Sequence, residues 1–245
     1  MLPAVASGGD GVSIVTIVLE EHRALVAQDT RSRLSGNDVI FDLSKLQVIP
    51  HLNLVLTVRG SSAQLAWLLQ QQLAVAGSFD DAVEVAEIEA PRCVELLIKG
   101  EADLPSPPAL PASGPQEIVL VGWSPCAQRM VAWRGWANDG KFEWGELRGV
   151  FAAPLPSAGP FSPFGQRIVD GYLPSTDADL LALAREQVAF GEQLAPEMAW
   201  GGRLTIAEVR RDSVSLRQAE LSAPLPLPKY AAICRARAAR EAAPT

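Results

Sequence analysis

Short runs of apolar and β-branched residues, separated by polar turns, dominate the first quarter of the chain. SIVTIVL and RALVAQ flank the charged turn EEHR, and this pattern predicts a β-hairpin over residues 13–28. The pattern returns over residues 39–58, where VIFDLSKLQVI and LNLVLTV flank a turn at Pro50-His51. The chain therefore opens with two predicted hairpins.

Helical spacing of the apolar positions then replaces these apolar, β-branched runs. AQLAWLLQQQLAVA has this spacing over residues 63–76, which predicts a helix. Ser78 precedes DDAVEVAEIEAP as an N-cap and predicts a second short helix that ends near Pro91. The next segment, CVELLIKG over residues 93–100, fits either a strand or the end of this helical region.

The second half of the chain returns to strands on either side of one further helix. EIVLVGWS, RMVAWRGW and KFEWGELRGVF predict strands, and RLTIAEVRRDSVSLRQAEL predicts a terminal hairpin that turns near Asp212-Ser213. Between them, DADLLALAREQVAFGEQLA predicts a helix over residues 177–195, capped by Ser175 or Thr176.

The order of these elements indicates the fold class. Strands, helices, strands, a helix and strands in succession are typical of the α+β class. Several strands are apolar on both faces, which indicates sheets that are covered on each side. We therefore predict a four-layer αββα sandwich, in which two stacked, mainly antiparallel sheets are flanked by helices. Residues 1–245 form one domain in this prediction, with Pro-rich loops at 103–115 and 154–165 and a C-terminal tail at 229–245.

Composition limits the classes of function. The net charge of −7 disfavours nucleic acid as a partner, because nucleic-acid binding draws on basic patches. No apolar run reaches the length of about 18 residues that crosses a membrane, and the first residues do not resemble a signal peptide. The sequence therefore predicts a cytoplasmic protein that does not contact membranes.

Cysteine and histidine residues give no metal-site pattern. Cys93, Cys126 and Cys234 are far apart and have no metal-ligand spacing, so neither a disulfide framework nor a zinc site is expected. His22 and His51 each fall in a predicted turn and are interpreted as surface residues. No metal and no cofactor is predicted.

Four tryptophans lie close together in the predicted strands of the middle region. Trp123, Trp133, Trp136 and Trp144 fall within 22 residues. Packing alone places tryptophan in strands, so we interpret them as a sheet face or a subunit contact in preference to a ligand-stacking site.

The motifs around the first hairpin are similar to those of a known family. SIVTIVLEEHRALVAQDTRSRL resembles the opening of a proteasome β-type subunit of the Ntn-hydrolase superfamily, including its D-T-R motif at Asp29-Thr30-Arg31. SKLQVI resembles the lysine-bearing strand of that family, and RGSSAQLAWLLQQQ resembles its glycine turn and following helix. Gly201-Gly202 and a terminal strand match the family's ending. On these motifs the chain is identified as a divergent bacterial or phage-like member of the proteasome-type subunits.

The resemblance implies a catalytic site at Ser13, Asp29, Lys45 and Gly60. An interval of 16 residues separates Ser13 from Asp29, as in the family, and the same interval separates Asp29 from Lys45. The Ser13 hydroxyl would attack a carbonyl while the free α-amine of the same residue accepts the proton. Removal of residues 1–12 is required, because the amide nitrogen of an uncut chain is not a base.

The other three residues would support the nucleophile. The Lys45 ammonium would lower the pKa of the Ser13 amine and hydroxyl, and Asp29 would hold Lys45 in place. The Gly60 N–H would stabilise the oxyanion. The family has an aspartate and a serine just before the terminal Gly-Gly, and the matching positions here are Glu197 and Trp200.

Two points of the implied site stay open. Tryptophan cannot donate a hydrogen bond as a serine hydroxyl does, and for a further supporting serine both Ser157 and Ser162 are candidates. Each main residue also has an ordinary interpretation. Ser13 fits a serine at the start of a strand, Asp29 a turn residue, and Lys45 a solvent-facing lysine.

These observations favour a proteasome-like subunit that is a non-catalytic or structural component of a larger assembly. The alternative is an N-terminal-serine hydrolase of amide or peptide bonds, active after removal of residues 1–12. A small-molecule amidase or acylase on the same fold is the third hypothesis. In each case we expect a homo-oligomer or a subunit of a larger complex.

Overall fold

The structure, a computed structural model, describes residues 13–33, 40–60, 63–99, 116–138, 141–155, 163–196 and 199–223. The strands in these ranges are β1 Val15–Leu19, β2 Arg23–Asp29, β3 Arg31–Arg33, β4 Ile40–Asp42, β5 Leu46–Ile49, β6 Leu54–Arg59, β7 Gln116–Ser124, β8 Arg129–Asn138, β9 Lys141–Leu147, β10 Val150–Ala153, β11 Arg203–Arg210 and β12 Ser213–Glu220. The helices are α1 Ala63–Leu73, α2 Phe79–Lys99, α3 Pro163–Val169 and α4 Asp177–Leu194, with a 3-10 turn at Pro50–Leu52.

Two antiparallel five-stranded sheets form the centre of the fold. The first sheet has the order β10-β1-β2-β11-β12, and the second has the order β5-β6-β7-β8-β9. Both predicted opening hairpins are present, as β1–β2 and β5–β6, and β11–β12 is the predicted terminal hairpin. A further small sheet pairs β3 with β4.

Buried apolar residues divide into three layers. One layer lies between the two sheets, where Ile17 and Val26 of the first sheet share a cluster with Val55 and Val121 of the second. A second layer packs α1 and α2 against the outer face of the second sheet. The third packs α4 against the outer face of the first sheet. The predicted αββα sandwich of two stacked antiparallel sheets flanked by helices is therefore confirmed.

The helix α2 is longer than the sequence pattern predicts. It continues through Pro91 to Lys99, so the expected end near Pro91 is wrong and the segment after Cys93 is helix, not strand. Proline costs a helix interior roughly 3 kcal/mol through a lost hydrogen bond and a clash. Ala90, Cys93 and Val94 extend the buried face on both sides of the proline, and their packing offsets this cost.

Two other boundaries differ from the sequence prediction. The expected strand over 141–151 breaks at Gly149, which has φ of +66°, so β9 stays in the second sheet while β10 joins the first. The expected loop over 154–165 contains the start of α3 at Pro163. Residues 1–12, which the sequence prediction treats as a leader or N-terminal extension, lie outside the described residues, as do the predicted loop 103–115 and tail 229–245.

The tryptophans of β8 and β9 have different packing partners. Trp133 and Trp144 stack with ring centroids 6.5 Å apart and pack against the apolar cluster under α1 and α2. Trp136 lies under the guanidinium of Arg134.

Among the helices of the described ranges, none is long and apolar enough to cross a membrane.

Candidate active site

Three of the predicted site residues lie at the ends of neighbouring elements. Ser13 stands two residues before β1 and is buried. Asp29 is the last residue of β2, and Lys45 directly precedes β5. Since β1 and β2 are antiparallel, the start of β1 lies beside the end of β2, and the Ile14 N–H donates a hydrogen bond to Asp29 Oδ1 at 3.2 Å.

Lys45 and Asp29 form a buried ion pair. Lys45 Nζ lies 2.9 Å from Asp29 Oδ1 and donates a second hydrogen bond of 2.6 Å to the carbonyl of Arg31. The side chain of Asp29 is 0% exposed and that of Lys45 is 9% exposed. The interpretation of Lys45 as a solvent-facing lysine does not fit this burial.

Burial shifts both ionisable groups of the pair towards their neutral forms. It raises the pKa of Asp29, an effect opposed by the Lys45 charge and by the N–H groups of Ile14 and Gly201. Burial also lowers the pKa of Lys45, an effect opposed by Asp29 and reinforced by the nearby charge of Arg59. A lysine with a lowered pKa beside a buried carboxylate is the kind of group that occurs at functional sites.

The other predicted site residues are Gly60, Glu197 and the two candidate serines. Gly60 follows β6 with φ of +100°, a conformation that favours glycine, and its role as an oxyanion donor stays a prediction. Glu197, Ser157 and Ser162 lie outside the described residues.

Trp200 has a packing role in the third apolar layer. Its indole N–H donates a hydrogen bond of 3.0 Å to the carbonyl of Ala195, just after α4. The indole ring covers Gly191 of α4 so closely that a Cβ there would lie 2.7 Å from the ring atoms. This position therefore supplies helix packing and no hydroxyl.

The sequence reasoning missed a second charged cluster beside Ser13. Arg59, at the end of β6, donates from Nε to the Ser13 carbonyl at 2.9 Å and from Nη1 to the Glu117 carboxylate at 2.7 Å. Glu117 is buried, and Arg134 Nε lies 3.2 Å from its other oxygen. A pattern signal existed, because Arg59 and Glu117 occupy inward positions of otherwise apolar strands.

A shallow recess lies close to the buried pair. It has a volume of about 310 Å³ and includes Thr30 and Ser44, which are the sequence neighbours of Asp29 and Lys45. In the part of the chain that the structure describes, no group of three or more His, Cys, Asp or Glu side chains is placed to hold a metal ion.

The class that these features define is an αββα sandwich with a buried lysine–aspartate pair at the end of β2, beside the start of β1. Solved structures with this fold include Anbu (ancestral beta-subunit) from Yersinia bercovieri, with 15% identity, a TM-score of 0.55, and coverage of 95% of this chain and 98% of that one. An Anbu (Gly-1) mutant from Hyphomicrobium sp. strain MC1 is 16% identical, with a TM-score of 0.50 and coverage of 95% and 96%. No protein-family model matches the chain, and no curated protein sequence does.

These comparisons correct the assignment made from the sequence. The chain was identified there as a divergent bacterial or phage-like member of the proteasome-type subunits, and that assignment is wrong. The structural neighbours are Anbu proteins, and identities of 15% and 16% show a shared fold alone. The chain therefore has the fold of the Anbu beta-subunit-like proteins.

Proposed function

We propose that this protein is an N-terminal-serine hydrolase of amide or peptide bonds, active after cleavage between Val12 and Ser13. The buried Lys45–Asp29 pair carries the proposal. Two buried charges lose several kcal/mol of solvation each, and apolar residues of similar volume often give equal or greater stability. The pair lies beside the proposed nucleophile, because Asp29 also accepts the N–H of Ile14, the residue after Ser13. We interpret this buried pair as part of the catalytic site for that reason.

The proposed reaction starts from the free α-amine of Ser13. An α-amine titrates near pH 8, so at neutral pH part of it is unprotonated and accepts the proton of the Ser13 hydroxyl. The oxygen attacks the substrate carbonyl, the tetrahedral intermediate collapses, and the leaving amine takes the proton. Water then hydrolyses the ester by the same route and restores the serine.

Lys45, Asp29 and Gly60 support these steps. The Lys45 ammonium lowers the pKa of the Ser13 amine by repelling its protonated form, which keeps more of the amine basic, and it lowers the pKa of the hydroxyl by attracting the alkoxide. Asp29 holds Lys45 in place through the 2.9 Å contact. The Gly60 N–H stabilises the oxyanion, and donors of this kind contribute about 3 kcal/mol in other hydrolases.

Trp200 favours a second candidate function. If this position must supply a hydroxyl to the Ser13 amine, the indole that is bound to Ala195 cannot do so. The protein would then be a non-catalytic, structural component of an assembly, and the Lys45–Asp29 pair would fix the start of β1.

We propose further that the chain acts as one domain in a homo-oligomer or a larger complex, and that it does so in the cytoplasm. The structural neighbour from Yersinia bercovieri is named as an ancestral beta-subunit, a term for one part of an assembly. The described cysteines Cys93 and Cys126 are free thiols, which fits a reducing compartment.

Mass spectrometry of the purified protein tests these proposals together. The denatured mass reports whether the chain begins at Ser13, the native mass reports the number of subunits, and an electrophilic β-lactone probe reports a reactive nucleophile. We expect a chain that starts at Ser13 and is labelled by the probe. Labelling should disappear in Ser13→Ala and fall at least 100-fold in Lys45→Ala, because both groups act in the attack step.

Lys99→Ala is the matched control, since Lys99 also pairs with a carboxylate, Glu95, but on the exposed face of α2. It should be labelled like the wild type. A wild-type chain that keeps Met1 and never reacts with the probe would exclude the hydrolase and leave the structural role. A single-subunit native mass would contradict the oligomer.

A further inference from the structure

Arg59 contacts the backbone of the proposed nucleophile. Its Nε donates to the Ser13 carbonyl at 2.9 Å, while Asp29 Oδ1 accepts the N–H of Ile14 at 3.2 Å. The carbonyl of Ser13 and the N–H of Ile14 belong to one planar peptide group. Two side chains on different strands therefore hold this peptide group at both of its polar atoms.

Arg59 is itself held in place by a buried carboxylate. Arg59 and Glu117 lie opposite each other on β6 and β7, and the Nη1 hydrogen bond between them is 2.7 Å long. The Glu117 side chain is 8% exposed, and Arg134 approaches its second oxygen from β8. The guanidinium of Arg59 thus has one side fixed by Glu117, and its Nε is directed at Ser13.

We propose that Arg59 is a positioning residue that fixes the orientation of Ser13 by holding its carbonyl. This inference rests on the proposed function of Ser13 as a nucleophile. In the cleaved chain Ser13 is the first residue, so no preceding peptide bond restrains it. The hydrogen bonds from Arg59 and Asp29 to the Ser13–Ile14 peptide group then determine where the α-amine and the hydroxyl of Ser13 point.

Arg59 could instead have a purely structural role as the counter-charge of Glu117. Two substitutions distinguish this role from the positioning of Ser13, because each keeps only one of the two contacts of Arg59. Arg59→Gln keeps an N–H donor at the side-chain position of Nε and removes the charge that pairs with Glu117. Arg59→Lys keeps a charge for Glu117 and places a methylene where Nε was. Arg134 remains beside Glu117 in both variants.

The experiment measures kcat, KM and Tm for hydrolysis of a peptide-amide substrate by protein whose Ser13 start is verified by mass. If Arg59 positions Ser13, Arg59→Lys lowers kcat roughly 10–100-fold with KM within about 2-fold, since small misplacement of a reacting group costs this much. Arg59→Gln keeps kcat within about 3-fold of the wild type and has the lower Tm.

Arg129→Met is the control for the loss of a guanidinium. Arg129 of β8 likewise binds one carboxylate, Glu146, and one backbone carbonyl, that of Met130. Its kcat should equal that of the wild type.

The inference is overturned if Arg59→Gln is as slow as Arg59→Lys, or if Arg59→Lys has the wild-type kcat. Either result would leave Ser13 as the nucleophile. If Arg59→Gln does not fold, Arg59→Lys decides, because a lowered kcat at an unchanged Tm supports the inference. A wild-type protein without a reactive Ser13 overturns the proposed function and this inference together.

Discussion

Lys45 and Asp29 have exchanged most of their contact with water for contact with each other. Such a pair depends on both partners, because removal of one leaves the other charge buried and uncompensated. Asp29 has a second task, since its Oδ1 also accepts the Ile14 N–H at 3.2 Å. The pair therefore stabilises the start of β1 as well as the charge of Lys45.

Lys45→Met should lower the free energy of unfolding by about 3–5 kcal/mol, because Asp29 then stays buried as an unpaired carboxylate. Lys45→Met combined with Asp29→Asn should recover most of this loss, since the asparagine oxygen still accepts the Ile14 N–H without a charge. Urea unfolding of both variants at pH 7 measures the difference. A single variant that loses less than about 1 kcal/mol would show that the pair is not buried as described.

At the scale of elements, α4 is fixed to the first sheet by polar and apolar contacts. Thr176 caps its first turn by accepting the Asp179 N–H. Gln187 is buried in its middle, where it accepts the Thr16 hydroxyl and donates to the carbonyls of Val15 and Pro154. These contacts fix the helix over the strand that Ser13 precedes.

Gly191→Ala should destabilise the protein although alanine is the better helix former. The gain in helix propensity is about 1 kcal/mol, whereas a new Cβ 2.7 Å from the Trp200 ring must displace a rigid side chain. Overpacking costs typically about 1–3 kcal/mol, so we expect a net loss of about 1–2 kcal/mol in urea unfolding.

Gly145→Ala is the matched control, because nothing lies within 4 Å of the added Cβ. It should change stability by less than about 0.5 kcal/mol. Equal behaviour of the two alanine variants would refute the close packing of Trp200 on α4.

Elements were predictable from the sequence where local pattern and tertiary packing agree. The apolar, β-branched runs SIVTIVL and RALVAQ predict β1 and β2 because both faces of these strands are buried, one between the sheets and one under α4. The pattern fails at Pro91, where local propensity ends a helix that tertiary packing continues. It also fails at Gly149, where the choice of sheet depends on distant strands.

Part of the candidate site was predicted in a different way, from the resemblance to proteasome β-type subunits. The equal intervals from Ser13 to Asp29 and on to Lys45 led to the pair that the structure brings to 2.9 Å. Arg59 and Glu117 were missed because their contact joins β6 to β7 across 58 residues of sequence. Their inward positions in β6 and β7 marked each residue singly, but no local pattern records that the two residues pair.

At the scale of the whole molecule, Gln28 connects the two sheets across their shared core. Its Nε2 donates to the carbonyl of Val58 at 2.7 Å, and its Oε1 accepts the hydroxyl of Thr57. Gln28 belongs to the first sheet and both partners belong to β6 of the second. The stacking of the sheets thus includes polar contacts as well as apolar packing.

Gln28→Met should cost about 2 kcal/mol in urea unfolding, because two buried polar groups of β6 lose their partner and each such loss costs about 1–3 kcal/mol. Part of this cost is offset by the apolar side chain. Gln166→Met on α3 is the control, since Gln166 is exposed and bonds only to Asp170 among the described contacts. It should stay within about 0.5 kcal/mol of the wild type, and an equal loss in both variants would contradict the bridge.

The strand order of the two sheets also determines when each can be completed during synthesis on the ribosome. The second sheet uses consecutive strands from β5 to β9, with α1 and α2 between β6 and β7, so all its strands are present once β9 is made. In the first sheet, β2 must wait for β11, because Asp29 lies opposite Leu204. Pairings between segments so distant in sequence form slowly. The surroundings of Asp29 are therefore completed only after β11 has been translated, which keeps the Lys45–Asp29 site unfinished in every nascent chain that ends before β11.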